Sequence, residues 1–224
     1  MTNLSEIATI ASQAGNNKAE YFLLQVPSLK QNFRSDTMVL NFIGEFDIKY
    51  KEVEDVPTNF CGLSARYNDT SVILVNAHFD FLPRKIFTIA HEIGHLFLHS
   101  EEKSFYDDVS TIGNYRHSKI EEMEANCFAA SLICPESILL YYLENNYSFN
   151  DISANLCLSY GTLHWRIYNL LINENQMCSF DAERIVNNFR FNNTPSANSF
   201  NRSDGIISSL LSENSIFSEG MFDI

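Results

Sequence analysis

The chain has 224 residues, 45% hydrophobic and 13% aromatic, which suits one main domain with a buried core and excludes global disorder. Its 28 acidic and 15 basic residues give a net charge of −13. No basic run exceeds Arg84-Lys85, so phosphate backbones and anionic membrane surfaces are disfavoured as partners.

Five cysteines, an odd number with no C-x-x-C pair, argue against a disulfide framework or a thiolate metal site. The N-terminus is not a signal peptide, and no apolar run approaches the roughly 20 residues that cross a bilayer. A cytoplasmic protein is the expectation.

Residues 3–14 have the pattern of a short amphipathic helix, ended by the turn signal Gly15-Asn16-Asn17. Pro27 interrupts a helical segment over 18–33. A helix over 36–45 takes Ser35 or Asp36 as its cap and has Gly44 near its end. The period then changes: Phe46 to Lys51 alternates apolar with polar residues and predicts a half-buried strand. Cys61 to Tyr67 predicts a second strand, and Ser71 to Asn76, beyond the turn Asn68-Asp69-Thr70, a third and more buried one. Strands so close in sequence are most economically joined as a small, mainly antiparallel sheet.

Pro83 opens a helix over about 84–99 that carries Phe87-Thr88-Ile89-Ala90-His91-Glu92-Ile93-Gly94-His95, an H-E-x-x-H sequence. His91 and His95 share one helix face and can grip one metal ion, with Glu92 beside it to move a proton. His99 is taken as structural, because three such histidines would stretch past one ion. A catalytic zinc needs a third protein ligand and an open position.

A polar loop over 100–116 leads to a helix over 118–133 that offers Glu121, Glu122 and Glu124. Glu121 and Glu124 lie about 100° and 200° around the helix from Glu122, so only one of the three can face a metal well. Glutamate-zincin peptidases use the first residue of a Glu-x-x-x-Asp or Glu-x-x-x-Asn spacing, which Glu122 and Asn126 match. On that pattern Glu122 is the ligand, Asn126 accepts a hydrogen bond from a ligating imidazole, and the other two glutamates read as a solvated face.

Two imidazoles and a carboxylate suit Zn2+, and Mn2+ or Fe2+ fit the same ligands. Tyr106, Tyr115 and His117 are candidate donors to an oxyanion, because they lie in the loop between the ligand helices. Ile73, Leu74, Val75 and Asn76 precede the active helix, in the position of an edge strand to which an extended peptide adds.

Pro135 ends the second ligand helix and opens another over 136–145. Residues 150–172 read as a helix-turn-helix, with Asn150 or Asp151 as cap and Cys157-Leu158-Ser159 as the turn. Reading DNA would require several basic or amide groups on its second helix. From Leu140 to Asn175 the only Lys or Arg is Arg166, and Leu163, Trp165, Ile167 and Leu170 read as packing residues. The motif therefore reads as structural, or as a protein-docking surface. After about Phe191 the composition shifts to Asn, Ser and Thr, with one short helix around Gly205–Leu211.

The stretch Arg84 to His95 and the block Glu122-Met123-Glu124-Ala125-Asn126-Cys127-Phe128-Ala129-Ala130-Ser131-Leu132-Ile133-Cys134-Pro135 resemble the ImmA/IrrE family of metallopeptidases. The second block is similar to that family's E-x-x-A-N-x-F-A-A-x-L-L-x-P pattern, with Cys134 where Met is common. The resemblance covers roughly residues 34–175. It implies an α+β, zincin-like helical domain with a small mainly antiparallel sheet (1–145), followed by a helix-turn-helix-like segment packed on it (146–180) and a partly flexible C-terminal extension (181–224).

The resemblance also implies a zinc-dependent endopeptidase that cleaves a helix-turn-helix repressor or antitoxin at one site and so relieves repression. An acidic surface suits such a basic, DNA-binding substrate. Two other readings use the same residues. One is a non-proteolytic, protein-binding regulator (an anti-repressor or toxin), against which the intact Glu92 argues. The other is a DNA-binding regulator acting through 150–172.

Overall fold

In the computed structural model, which describes residues 4–99, 119–173 and 177–192, the elements follow in a simple order. The first helices are α1 (Leu4–Gln25), α2 (Pro27–Gln31) and α3 (Ser35–Glu45), and the strands are β1 (Lys49–Val53), β2 (Gly62–Tyr67) and β3 (Thr70–Asn76). Then come α4 (Leu82–Leu98), α5 (Lys119–Ile133), α6 (Glu136–Glu144), α7 (Phe149–Leu156), α8 (Tyr160–Asn173) and α9 (Ser179–Asn192). The architecture is α+β, and a helix-turn-helix-like pair follows the sheet domain as expected. Among the described residues no single helix is long and apolar enough to cross a membrane.

The turn signal Gly15-Asn16-Asn17 does not break α1, for a tertiary reason. Gly15 lies where α1 crosses α5, and a Cβ there would come within 2.3 Å of the Phe128 carbonyl oxygen. The next turns of α1 serve the start of α6: Asn16 Oδ1 accepts from the Glu136 N–H at 2.8 Å, and Glu20 accepts from the Ser137 N–H and hydroxyl at 3.0 Å. Contacts with distant helices thus outweigh the local propensity of the triplet.

The first strand begins later than its alternation suggests. Phe46 is the C-cap of α3, and Asp47 takes the left-handed φ of 46° that reverses the chain before Lys49. The sheet is three-stranded, in the order β1-β3-β2. The β2–β3 hairpin is antiparallel, with Tyr67 opposite Thr70 and Asn68 left-handed at its tip. β1 runs parallel to β3, with Tyr50 opposite Ile73, so the sheet is mixed rather than mainly antiparallel. β3 therefore lies in the middle, with its backbone paired on both sides. Ile73 and Val75 turn into the core beside Ile86, Ile89 and Ile93 of α4.

α5 forms the centre of the helical layer between α1 and α4, and Ala125, Phe128, Ala129 and Leu132 are buried along it. In the corner that follows, Ser148 caps α7 and Asp151 closes a capping box with it, so the cap lies ahead of Asn150 and Asp151. Cys157 turns the chain with a φ of 58°. Leu163, Ile167 and Leu170 are buried as expected, whereas Trp165 is 56% exposed. α9 carries the helical part beyond the expected 146–180 segment, into the C-terminal extension, burying Ala182, Val186 and Phe189. The helix expected around Gly205–Leu211 lies outside the described residues. All five cysteines are free thiols.

Candidate metal centre

Three faces of α4 do different work. Ile86, Ile89, Ala90, Ile93 and Leu96 recur at helical spacing and hold the helix in the core. The next face carries His91 and His95 one turn apart. The third turns Glu92 towards β2. Gly94 and Ala125 meet where α4 and α5 cross; a Cβ on Gly94 would sit 3.1 Å from the Ala125 Cα. This small pair lies between the two histidines on one helix and between Glu122 and Asn126 on the other. It lets the helices approach closely enough for the four side chains to meet.

The Nε2 atoms of His91 and His95 are 3.0 Å apart. The Glu122 carboxylate spans them, with Oε2 3.4 Å from His91 Nε2 and Oε1 3.5 Å from His95 Nε2. Among the described residues these three form a group that could hold a metal ion. Ligands about 2.0–2.2 Å from a tetrahedral ion stand about 3.3–3.6 Å apart. The two nitrogen–carboxylate distances match that spacing, the two nitrogens stand somewhat closer together, and the donor set suits zinc. The remaining nitrogens are committed elsewhere. His91 Nδ1 donates to Asn126 Oδ1 at 3.0 Å, which leaves Nε2 as the atom with a lone pair. Burial lowers the pKa of His91 against the opposing pull of Glu122 and Asn126, favouring the neutral ring that a metal ligand requires.

Glu92 is 6% exposed. Burial pushes its carboxyl up to about 7, hydrogen bonds from the Ser64 hydroxyl and backbone N–H pull it back, and the charge of Glu122 adds to the rise. The Ser64 N–H can make that bond because β2 is an edge strand. Asn76 N–H donates to Cys61 O at 3.0 Å on the β3 side, and the alternation from there turns the backbone groups of Gly62, Ser64 and Arg66 outward. A Cβ at Gly62 would come within 2.8 Å of Glu92 Oε1 and 2.9 Å of Thr88 Cγ2, so only glycine leaves room for the carboxylate.

The sequence-predicted residues thus divide. His91, Glu92, His95, Glu122 and Asn126 come together. Ile73, Leu74, Val75 and Asn76 do not form a peptide track, because β3 is the central strand and both its neighbours already pair with it. Tyr106, Tyr115 and His117 lie outside the described residues. Glu124 is not on a solvated face: its Oε2 lies 3.0 Å from His99 Nε2. Ser64 and Gly62 escaped sequence reasoning, although a glycine opening a strand is a signal of close backbone approach.

Arg166 of α8, the basic residue that a DNA-reading helix would rely on, is 4% exposed and donates through Nε to Cys134 O at 2.9 Å. A comparison with curated proteins gives no significant match. The family model described as the IrrE N-terminal-like domain, a peptidase family, matches residues 50–168, more than half of the 224-residue chain. That span includes β2 with Ser64, both histidines, Glu92, Glu122 and Asn126, and runs on into α8. The chain belongs to the ImmA/IrrE family of metallopeptidases.

Proposed function

We propose that this protein is a zinc-dependent endopeptidase of the glutamate-zincin type that cuts one protein substrate at a defined site. The substrate class is a helix-turn-helix repressor or antitoxin, whose cleavage relieves repression. The observation that carries the reading is the convergence of His91 Nε2, His95 Nε2 and the Glu122 carboxylate within 3.0–3.5 Å, with the buried Glu92 alongside.

Zinc held by His91, His95 and Glu122 would supply Lewis-acid polarisation of the scissile carbonyl and acidify a water. Glu92 takes a proton from the attacking water and returns it to the leaving amine. Ser64, donating to Glu92 through both hydroxyl and N–H, keeps that carboxylate aimed instead of free to rotate. The track for an extended peptide is β2, the edge strand beside Glu92, with outward-facing backbone groups at Gly62 and Arg66 on either side of the Ser64 N–H that Glu92 occupies. A net charge of −13 favours a basic partner, as a DNA-binding substrate would be. The burial of Arg166 supports a protein partner over nucleic acid for the α7–α8 pair.

The test mixes the zinc-loaded protein with the purified product of a repressor-like gene adjacent to its own. Wild type is expected to cut it at one position, and Glu92→Gln to do so about 10²–10⁴-fold more slowly. Cleavage by both at equal rates would remove Glu92 from the role of base. A repressor left intact by zinc-loaded wild type would remove that substrate.

A further inference from the structure

His95 is held from behind by a chain of two further side chains. Its Nδ1 lies 2.9 Å from Nδ1 of His99, and His99 Nε2 lies 3.0 Å from Glu124 Oε2. The far end sets the direction of the chain. With the Glu124 carboxylate accepting, His99 donates through Nε2, and in the tautomer that carries its proton there Nδ1 is an acceptor. His95 Nδ1 is then the donor. Its lone pair falls on Nε2, the atom that faces His91 and Glu122.

We propose that His99 and Glu124 are positioning residues for the metal centre, a carboxylate–imidazole relay that locks His95 in the tautomer and ring orientation able to bind the ion. This inference rests on the metal-centre reading above and deepens it. Each ligating histidine then has its own support from α5. His91 uses Asn126 directly, one turn beyond Glu122 on the same face. Glu124 stands about 200° around α5 from Glu122, away from the metal side, and His99 spans the distance from it to His95.

His99 is itself anchored at the end of α4, where its backbone N–H donates to His95 O at 3.0 Å. The His99 and Glu124 side chains are 11% and 28% exposed, so the relay is largely sheltered from competing water. If the pair merely tied the end of α4 to α5, stability would depend on it but the state of His95 would not.

The experiment uses the full chain and zinc alone. In the metal-free protein, nitrogen-resolved imidazole spectra are expected to show His95 protonated on Nδ1 and His99 on Nε2. In His99→Leu, His95 is expected to lose its single tautomer, and zinc affinity by chelator competition to fall about 10–100-fold. His99→Gln offers an amide oxygen to His95 and an amide N–H to Glu124, and is expected to keep affinity within a few-fold of wild type.

His95 protonated on Nε2 in wild type would overturn the relay. So would unchanged zinc affinity in His99→Leu, or an equal loss in His99→Gln. Should His99→Leu fail to fold, the wild-type tautomer and the Leu-versus-Gln pair at Glu124 decide the same question. Wild type that binds no zinc would defeat the metal-centre reading instead, and the tautomer spectrum would still decide the relay.

Discussion

The α4–α5 crossing and the α7–α8 corner both bury polar side chains, but they aim them differently. At the crossing, two imidazole nitrogens and a carboxylate turn towards one another at 3.0–3.5 Å, while hydrogen bonds to Asn126 and His99 hold the imidazoles from behind. In the corner, Arg166 Nε ends on the Cys134 carbonyl at 2.9 Å and the Ser153 hydroxyl on the Leu158 carbonyl at 2.8 Å. Ser148 and Asp151 close on each other's backbone N–H. Donors committed to carbonyls stiffen a corner and do not gather around a common point. Acceptors gathered face to face repel one another, and a bound cation turns that repulsion into attraction.

The largest effect should come from removing one of the converging groups. Glu122→Ala is expected to lower zinc affinity by at least about 100-fold, more than the loss of a supporting hydrogen bond costs. Its side chain is 46% exposed in the first turn of α5, so the helix should survive the change. Chelator competition and a thermal melt read the two quantities separately, and unchanged zinc binding would shift the third ligand to another residue.

Next in size is a change in the corner. Arg166→Met leaves the Cys134 carbonyl without that donor and should cost about 1–3 kcal/mol in urea denaturation, with zinc affinity unchanged. A joint fall in stability and affinity would mean that the two regions are coupled.

What the sequence made legible was whatever depends on spacing within one helix. The His91–His95 pair, the Glu122–Asn126 pair and the buried series Leu163, Ile167, Leu170 follow from 3.6 residues per turn and needed no tertiary knowledge. Strand order was not legible. β1 pairs with β3 across the intervening β2 hairpin, which moves β3 from edge to centre and gives β2 the position beside Glu92. The role of Gly62 and Ser64 exists only once that order is known.

The same holds for Gly15-Asn16-Asn17, a turn by local propensity and a helix because of Phe128, Glu136 and Ser137. His99 and Glu124 are an intermediate case. His99 falls outside the ligand set by its distance along α4 and Glu124 by its angle around α5, but those grounds say nothing about a side chain that acts through another. α9 was within reach: Ala182, Val186 and Phe189 keep a helical period among polar neighbours.

The smallest effect should come at the start of α7. Asn150 and Asp151 looked like its cap because either can accept from an early helical N–H, but the chain turns two residues sooner. Ser148 accepts from the Asp151 N–H at 3.1 Å, and Asp151 accepts in return from the Ser148 N–H at 3.2 Å. Ser148→Ala removes one half of that exchange at a residue only 8% exposed, where water is a poor substitute. The expected cost is about 1 kcal/mol, below that of Arg166→Met, since Ile152 and Leu156 still hold α7 in the core. Urea denaturation measures it, and zinc affinity should again stay constant. A loss of affinity here would mean that the corner helps to hold the ligand helices in place, and the contrast between the two regions would fail.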